Sequence, residues 1–342
     1  VEKLHDLKIV YTPIHGSGVV LVPESLRNFG FTNISTVKQQ NILDGNFPTV
    51  ESPNPEERAT MKMAIDLGIN EKAEIILASD PDADRLAIAV PDDKGDIILL
   101  NGNQTCVRLT YYLCRRWNEL GKLNGKQYIV KTIVTSEMMA KVAEKVGVKH
   151  YNCLTGFKYI ASIIRENETT GWQYIGGGEE SFGYLPEDFV RDKDAVSSIS
   201  LAAECAAWAK SIGMSMYELL KQMYLDLGFY KEGLVSVVRK GKEGAEEIRQ
   251  MMTDYRSHPP KSICGSAVIT IRDYLSGESL DVNTGTKNPI DIESSNVLQF
   301  LTEDGTIVSI RPSGTEPKIK FYFGVCAPLP SAEQFDEVQA KL

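Results

Sequence analysis

Residues 74–85 read Glu-Ile-Ile-Leu-Ala-Ser-Asp-Pro-Asp-Ala-Asp-Arg, an apolar run followed at once by three alternating aspartates and an arginine. After Glu74 the run 74–78 is continuously apolar, which is typical of a strand buried on both faces of a parallel sheet. Ligands of α/β proteins bind at the carboxyl ends of such strands. The stretch therefore predicts an α/β fold with a ligand site directly after this strand.

Three carboxylates at alternating positions, Asp80, Asp82 and Asp84, suit a divalent cation. Carboxylates this close repel one another, and hard oxygen ligands with a high negative charge favour Mg²⁺. Arg85 beside them can contact a phosphoryl oxygen near the metal. An EF-hand is excluded, because Arg85 replaces the glycine of that loop and Pro91 stands where its bidentate glutamate belongs. The alternative is a solvated acidic turn.

A second stretch, Arg-Pro-Ser-Gly-Thr-Glu-Pro-Lys, lies between two apolar strands. A glycine lets the backbone approach an anion, hydroxyl groups donate hydrogen bonds, and cations supply charge. The alternative is a plain β-turn. The composition favours a phosphate-binding loop, with candidate residues Arg311, Ser313, Gly314, Thr315 and Lys318.

The glycines at 176–178 stand directly before Glu179, Glu180 and Ser181. Consecutive glycines indicate a backbone with unusual dihedral angles or a close ligand. Glu179 can accept hydrogen bonds from sugar hydroxyls, although a flexible turn with solvated glutamates explains the pattern equally well.

Short turns elsewhere carry further polar residues. Asp194 precedes an apolar helix and is a natural N-cap. Lys193 is either a tuned general acid/base or a surface lysine. A glycine turn at 155–158 precedes another helix. A similar turn at 12–18 follows the first strand, and there His15 is interpreted as a packed, hydrogen-bonded histidine.

Composition limits the classes of function. The net charge of −9 argues against a nucleic-acid-binding protein, which needs a basic face. There is no apolar run of about 18 residues, so no membrane segment is expected. Six scattered cysteines without a CxxC pair indicate reduced thiols and a cytoplasmic protein. The sequence carries no signal for oligomeric state.

Strand and helix patterns alternate over the first two thirds of the chain and change near residue 231. The predicted elements before that point are strands 7–11, 74–78 and 128–134 and helices 55–68, 136–146, 195–211 and 215–226. After it, a helix over 241–256 is followed by strands 267–272, 297–301, 306–311 and 318–325. The fold class is α/β, with two successive α/β domains of mixed, mostly parallel sheets and a C-terminal α+β domain. The predicted domains span 1–122, 123–230 and 231–342.

Taken in order, these motifs resemble the phosphohexomutase family over essentially the whole chain. TPIHGSG is similar to the opening of that family's second domain, SDPDADR to its metal loop, GEESFG to its sugar loop and RPSGTEPKIK to its phosphate loop. LTGFKYI and RDKDA fit the phosphoglucomutase branch, including its phosphopentomutase-type members. The family's first domain carries a serine in a Thr-Ala-Ser-His-Asn-Pro type loop that does not occur here. The chain thus resembles domains two to four, and it is expected to be inactive alone.

The resemblance implies a reaction. A phosphoserine donates its phosphoryl group to a sugar monophosphate, and the resulting sugar 1,6-bisphosphate reorients and returns the other group. Mg²⁺ would lie on the three aspartates, with Arg85 and Lys193 as the catalytic pair. The other residues that the resemblance assigns bind substrate. Those at the sugar hydroxyls are Glu179 and Ser181, and those at the distal phosphate are Arg311, Ser313, Gly314, Thr315 and Lys318. Thr155, Gly156 and Lys158 are further substrate-binding residues.

Three alternatives stay open at this point. The substrate is expected to be a glucose phosphate, but mannose and pentose phosphates fit the same motifs. A Mg²⁺-dependent phosphatase would use the triple aspartate with an aspartyl nucleophile and would not need the phosphate loop. A non-catalytic sugar-phosphate-binding module would bind ligand without turnover.

Overall fold

A computed structural model of the protein describes residues 5–239, 241–314 and 316–342. The chain forms two compact units, Val1–Leu227 and Gly228–Leu342. None of the described helices is long and apolar enough to cross a lipid bilayer. The six cysteines are all free thiols.

The first unit alternates strands and helices along its length. Its elements are β1 (Ile9–Thr12), α1 (Gly18–Asn28), β2 (Ile34–Thr36), α2 (Lys62–Glu71), β3 (Ile75–Ser79), β4 (Leu86–Pro91), β5 (Ile97–Leu99), α3 (Gly102–Glu119), β6 (Gln127–Thr132), α4 (Met138–Lys145), β7 (Lys149–Cys153), α5 (Phe157–Asn167), β8 (Gln173–Glu179), β9 (Gly183–Leu185), α6 (Ala195–Ser211) and α7 (Met216–Leu227).

Two mixed sheets organise these elements. The first has the order β2-β1-β3-β4-β5, and the second has the order β7-β6-β8-β9. β1 pairs in parallel with β2 and β3, whereas β4 and β5 run antiparallel. β6 likewise pairs in parallel with β7 and β8, and β9 is antiparallel. The carboxyl ends of β3 and β8 therefore carry the aspartate loop and the glutamate loop.

The apolar strand predicted before the aspartates is fully buried. All five residues of β3 are inaccessible, and the core around it includes Val10, Met61, Ile65 and Ala89. Packing extends across both sheets, because α6 contacts α1 and β3 of the first sheet and β9 of the second. Burial of aliphatic side chains of this size contributes about 1.5–3 kcal/mol each.

The second unit is built around one antiparallel sheet. Its elements are β10 (Phe229–Val238), α8 (Gly241–Ser257), β11 (Ser262–Ile263), β12 (Ser266–Asp273), β13 (Glu278–Asp281), β14 (Lys287–Pro289), β15 (Leu298–Thr302), β16 (Ile307–Pro312), β17 (Lys318–Ala327), a 3₁₀ turn at Ala332–Gln334 and α9 (Phe335–Lys341). The order is β10-β17-β16-β15-β12-β13-β14, with β11 on β12. Ile248 and Met252 of α8 pack on the sheet through Phe300 and Ile319.

The predicted fold class is confirmed, since mixed α/β sheets precede an antiparallel α+β unit. The three domain bounds stay a prediction. The helix predicted over 55–68 is wrong in its first half, because α2 begins at Lys62. The Asn54 side chain accepts a hydrogen bond from the backbone of Glu56, and this Asx turn replaces the first helical turn. The predicted N-cap Asp194 is confirmed by its bonds from the amides of Val196 and Ser197.

Candidate active site

The three aspartates lie together in the loop between β3 and β4. One carboxylate oxygen of each of Asp80, Asp82 and Asp84 lies within 4.8 Å of those of the other two. Asp80 is buried and its Oδ1 accepts hydrogen bonds from the amides of Asp84 (3.0 Å) and Arg85 (2.9 Å). Ala83 takes a left-handed conformation with φ of 57°, which folds the loop back on itself. The turn thus directs three hard oxygen groups to one point.

The electrostatics of this loop favour a bound cation. Burial raises the pKa of Asp80 to about 7; the hydrogen bond from the Arg85 amide opposes this rise, whereas the charges of Asp84 and Asp82 add to it. Among the described residues, no donor reaches Asp84 Oδ1, although this atom is buried. A buried carboxylate oxygen without a donor is costly unless a cation or water satisfies it. The donor set and its unsatisfied oxygen therefore fit Mg²⁺.

Arg85 is tied into the acidic cluster by ion pairs. Its Nε lies 3.6 Å from Asp80 Oδ2 and 3.8 Å from Asp84 Oδ1, and its Nη1 lies 3.3 Å from Glu56 Oε1. About a third of the side chain stays exposed. Sequence reasoning missed Glu56, because nothing in the residues around it marks it as a partner of an arginine 29 positions away.

The loop before α6 contacts the aspartate loop. Lys193 Nζ donates a hydrogen bond to Asp84 Oδ2. The amide of Ala195 donates to Ala83 O at 3.0 Å. Burial lowers the pKa of Lys193, but its hydrogen bond to Asp84 and the nearby carboxylates of Asp84 and Asp192 outweigh this, so the pKa is raised overall. Lys193 is thus a protonated ammonium group within the acidic cluster.

The GEESFG loop is joined directly to the aspartate loop. Arg85 forms an isolated antiparallel bridge with Gly183, and the amide of Leu86 donates to Phe182 O at 2.9 Å. A side chain at Gly183 would place its Cβ 2.6 Å from Lys193 Cδ, so glycine is needed for the lysine to pass. Ser181 is half-buried in this turn.

Glu179 connects this loop to the turn before α5. Its Oε1 accepts a hydrogen bond from the amide of Gly156 at 2.6 Å. Burial and the charge of Glu180 raise the pKa of Glu179, and the Gly156 bond partly offsets this. Thr155 Oγ1 is buried without a partner among the described residues, and the Lys158 ammonium lies 4.7 Å from the Tyr159 ring centroid. The predicted residues of the two loops are thus neighbours.

The turn after β1 supports the aspartate loop from below. The amide of Ser17 donates to Pro81 O at 2.8 Å, and a Cβ on Gly16 would lie 2.4 Å from Pro81 Cα. His15 is buried, and both its ring nitrogens are hydrogen-bonded, to Ile42 O (3.1 Å) and Thr49 Oγ1 (2.9 Å). Its interpretation as a packed, hydrogen-bonded histidine is confirmed.

The candidate phosphate loop lies in the second unit, between β16 and β17. Arg311 pairs with Lys320 across the ladder, and Lys318, two residues before Lys320, shares its face of the strand. Cations directly opposite each other destabilise a sheet unless an anion compensates them. Lys320 was missed as a candidate, because only its register with Arg311 shows that it belongs to the cluster.

The turn itself is closed by its own backbone. The amide of Ser313 donates to Lys318 O at 2.6 Å, and Ser313 Oγ accepts from the amide of Glu316 at 3.3 Å. Gly314 is exposed, and a Cβ there would meet no atom within 4 Å, so packing around this position does not require glycine. Thr315 lies outside the described residues.

The chain is similar to known proteins over nearly its whole length. Three family models cover the chain: phosphoglucomutase/phosphomannomutase alpha/beta/alpha domain II over residues 1–95, domain III over 101–226 and the C-terminal domain over 238–341. Phosphoglucomutases of Staphylococcus aureus strains MRSA252 and N315 are 37% identical over 337 residues, or 98% of this chain. The chain spans 59% of the length of these relatives.

Solved structures share the fold at lower identity. Parafusin, a phosphoglucomutase from Paramecium in its open form, is 17% identical with a TM-score of 0.67, covering 99% of this chain and 57% of its own. A phosphoglucomutase/phosphomannomutase family protein from Burkholderia thailandensis is 18% identical with a TM-score of 0.61, covering 98% and 60%. With the three successive domain models and the loops assembled above, the chain belongs to the phosphoglucomutase/phosphomannomutase family, of which it contains domains II, III and IV.

Proposed function

We propose that these residues form part of a phosphoglucomutase-type active site that interconverts sugar 1-phosphates and 6-phosphates, with glucose as the preferred sugar. The observation that carries the proposal is the cluster of three aspartates with Lys193 hydrogen-bonded to one of them. The likeness to the phosphoglucomutases of S. aureus over 98% of the chain supports the same reaction.

Asp80, Asp82 and Asp84 would hold Mg²⁺. Their oxygens are of the hard type that this ion prefers, and Asp84 Oδ1, which has no hydrogen-bond partner in the described part of the chain, offers a ready ligand. When bound, the ion supplies positive charge that stabilises a phosphoryl group in transfer. Arg85 would neutralise a further phosphoryl oxygen from the side of the loop, because part of its guanidinium stays exposed.

Lys193 is proposed as the general acid/base of the transfer: as an ammonium group it donates a proton to the oxygen that loses the phosphoryl group, and the amine so formed takes the proton of the hydroxyl that gains it. Its raised pKa keeps it protonated near neutral pH, so donation is the first of these two steps. The Lys193 ammonium group donates a hydrogen bond to Asp84. A substrate hydroxyl bound beside Asp84 would therefore lie next to this ammonium group.

Sugar recognition is proposed for the turns around β8 and α5. Thr155 Oγ1 is buried and has no hydrogen-bond partner among the described residues, so a substrate hydroxyl would satisfy it. The remaining candidates are Gly156, Lys158, Glu179 and Ser181. Glu179 Oε1 already accepts a bond from Gly156, so its other oxygen is the one proposed for the sugar.

The non-transferred phosphate is proposed to bind the loop of the second unit. Arg311 and Lys318 are joined there by Lys320, and Ser313 and Gly314 would offer polar groups at the turn. Thr315 stays a prediction. Three cations on one face of a hairpin attract a dianion more strongly than a sugar hydroxyl, because hydrogen bonds between charged groups are the stronger ones.

In the proposed reaction, a phosphoserine of a further domain, which the resemblance to the family implies, transfers its phosphoryl group to the sugar monophosphate. The sugar hydroxyl loses its proton as it gains the phosphoryl group, the serine oxygen takes one proton in exchange, and a sugar 1,6-bisphosphate forms. After this bisphosphate reorients, its other phosphoryl group returns to the serine, and the isomeric monophosphate leaves. Phosphate is conserved throughout, which distinguishes the mutase from a phosphatase.

A chimera tests the proposal. These 342 residues would replace the aligned 337-residue segment of the S. aureus phosphoglucomutase. With Mg²⁺ and a trace of glucose 1,6-bisphosphate, the chimera should convert glucose 1-phosphate to glucose 6-phosphate, and faster than it converts mannose or pentose 1-phosphates. The chain alone should show no turnover. Release of inorganic phosphate would indicate a phosphatase, and ligand binding by a folded chimera without turnover would indicate a binding module.

A further inference from the structure

The turn after β1 holds two consecutive residues in a left-handed backbone conformation, Ile14 with φ of 49° and His15 with φ of 61°. For a β-branched residue such as Ile14 this conformation is a genuine outlier. Strained residues of this kind persist only where the surrounding structure holds them in place. The contacts that hold this turn therefore indicate its structural role.

One contact of the turn is with the aspartate loop. Ser17 donates its amide to Pro81 O, and Gly16 packs on Pro81 so closely that a Cβ would lie 2.4 Å from Pro81 Cα and 2.7 Å from Pro81 O. Pro81 stands between Asp80 and Asp82. Any shift of the turn would therefore move the peptide that carries two of the three clustered carboxylates.

The opposite side of the turn is held by a directed hydrogen-bond chain. Thr12 Oγ1 accepts from the Ile14 amide (3.2 Å) and donates to Gln40 Oε1 (2.6 Å). Gln40 Nε2 donates to Thr49 Oγ1 (3.0 Å), and Thr49 Oγ1 is in turn hydrogen-bonded to His15 Nε2 (2.9 Å). His15 Nδ1 then donates to the carbonyl of Ile42 (3.1 Å).

This chain uses both ring nitrogens of His15. The backbone of His15 is held as well, because its amide donates to Gln40 O (3.0 Å) and its carbonyl accepts from the Asp44 amide (3.3 Å). Thr12 and Gln40 are fully buried and His15 is nearly so, which keeps water from replacing these bonds.

We infer that His15 is a positioning residue of the metal centre: its ring, fixed between Ile42 and Thr49, holds the left-handed turn that sets Pro81 and thereby the carboxylates of Asp80 and Asp82. The inference rests on the proposed Mg²⁺ site. His15 touches no carboxylate of the cluster, so it acts only through the turn. Residues that support metal ligands in this way change metal affinity when they are replaced.

The test is His15→Asn in the full 342-residue chain. Asparagine tolerates the left-handed conformation but is too short to replace both bonds of the ring, so the variant isolates the ring's role. His150→Asn is the matched control, since His150 is a half-buried histidine of β7, away from this turn. Mg²⁺ affinity is measured by calorimetry, and the free energy of unfolding by urea titration.

We expect His15→Asn to weaken Mg²⁺ binding by about tenfold or more, while His150→Asn binds Mg²⁺ as the parent does. An affinity of His15→Asn within twofold of the parent overturns the inference. Hydrogen exchange at the Ser17 amide gives a readout that does not need metal: exchange should be faster in His15→Asn than in the parent and the control. If the parent binds no Mg²⁺, the metal assignment has failed, and unchanged Ser17 protection would then overturn the positioning role separately.

Discussion

Lys193 Nζ donates a hydrogen bond to Asp84 Oδ2, although the two residues are 109 positions apart. Asp84 lies in the loop after β3 of the first sheet, and Lys193 lies in the loop after β9 of the second. The ammonium group therefore occupies one oxygen of a carboxylate that is also a candidate Mg²⁺ ligand. Asp84 Oδ1 has no hydrogen-bond donor among the described residues. Lys193 and a metal ion would thus share a single carboxylate.

This shared carboxylate predicts opposite effects of one substitution. Lys193→Met keeps the length of the side chain but removes a positive charge beside the metal site. Mg²⁺ affinity should rise by about threefold or more, because a repelling cation is gone, whereas turnover of the chimera should fall by about a hundredfold or more, the typical contribution of a general acid.

Calorimetry on the chain and a coupled assay of the chimera check the two halves. Lys141→Met, at an exposed lysine of α4, should change neither quantity. Weaker Mg²⁺ binding together with unchanged turnover in Lys193→Met would contradict both roles.

The close approach of the Lys193 side chain to Gly183 gives a second prediction. A methyl group in Gly183→Ala would meet Lys193 Cδ at 2.6 Å, so the side chain must move away from Asp84. Because a flexible side chain can yield, stability should fall by only about 1 kcal/mol. Turnover should fall nearly as far as in Lys193→Met. A crystal structure of the variant with the Lys193–Asp84 bond intact would refute this explanation.

Asp80 predicts how stability depends on pH. Its folded-state pKa of about 7 lies above the ordinary value of 3.8, so between these values the folded state binds the extra proton. Without metal, this carboxyl therefore favours folding at low pH, and its contribution is lost as pH rises through about 7. Mg²⁺ should reverse the trend, because it binds the deprotonated form.

Urea unfolding between pH 5 and pH 8 checks this dependence. Asp80→Asn is the reference, since an amide oxygen can still accept the two backbone bonds of the loop without titrating. The difference in unfolding free energy between parent and Asp80→Asn should shift in favour of Asp80→Asn as pH rises. A difference that stays constant across this range would show that the carboxyl does not titrate there.

The phosphate loop is tested in the second unit alone. Arg311→Ala removes a charge-assisted contact worth about 1.5–3 kcal/mol, so inorganic phosphate or glucose 6-phosphate should bind about tenfold to a hundredfold more weakly. Arg249→Ala makes the same change on the exposed face of α8 and should have no effect. Equal affinities of the two variants would give the Arg311–Lys320 pair a purely structural role.

The site's residues could be predicted from the sequence where a local rule applies. The apolar run and the alternating carboxylates were enough to predict β3 and the aspartate loop after it. The position of Asp194 before an apolar helix was enough to predict that it is an N-cap. The capping box of α3, in which Asn101 and Gln104 bond each other's backbone, is equally local, but the helix was not predicted. Its signal, an Asn with a Gln three residues later, was present in the sequence.

The contacts that join the loops could not be predicted in this way. The bond from Lys193 to Asp84 and the bond from Ser17 to Pro81 connect positions far apart, and each depends on strand order rather than on residue type. β10 was missed for a related reason. Its exposed Leu234, Val235 and Val238 do not alternate with polar residues, so no period of two marks the strand.

The central claim, that the three aspartates after β3 form a Mg²⁺ centre, is tested most directly by titrating Mg²⁺ into the chain and its Asp82→Asn variant in a calorimeter. Asp82 is the exposed member of the cluster, so its replacement should change the unfolding free energy by no more than about 0.5 kcal/mol. The account predicts saturable binding of one Mg²⁺ by the parent and an affinity at least about tenfold lower in Asp82→Asn. Equal Mg²⁺ affinities for the parent and a fully folded Asp82→Asn variant would contradict it.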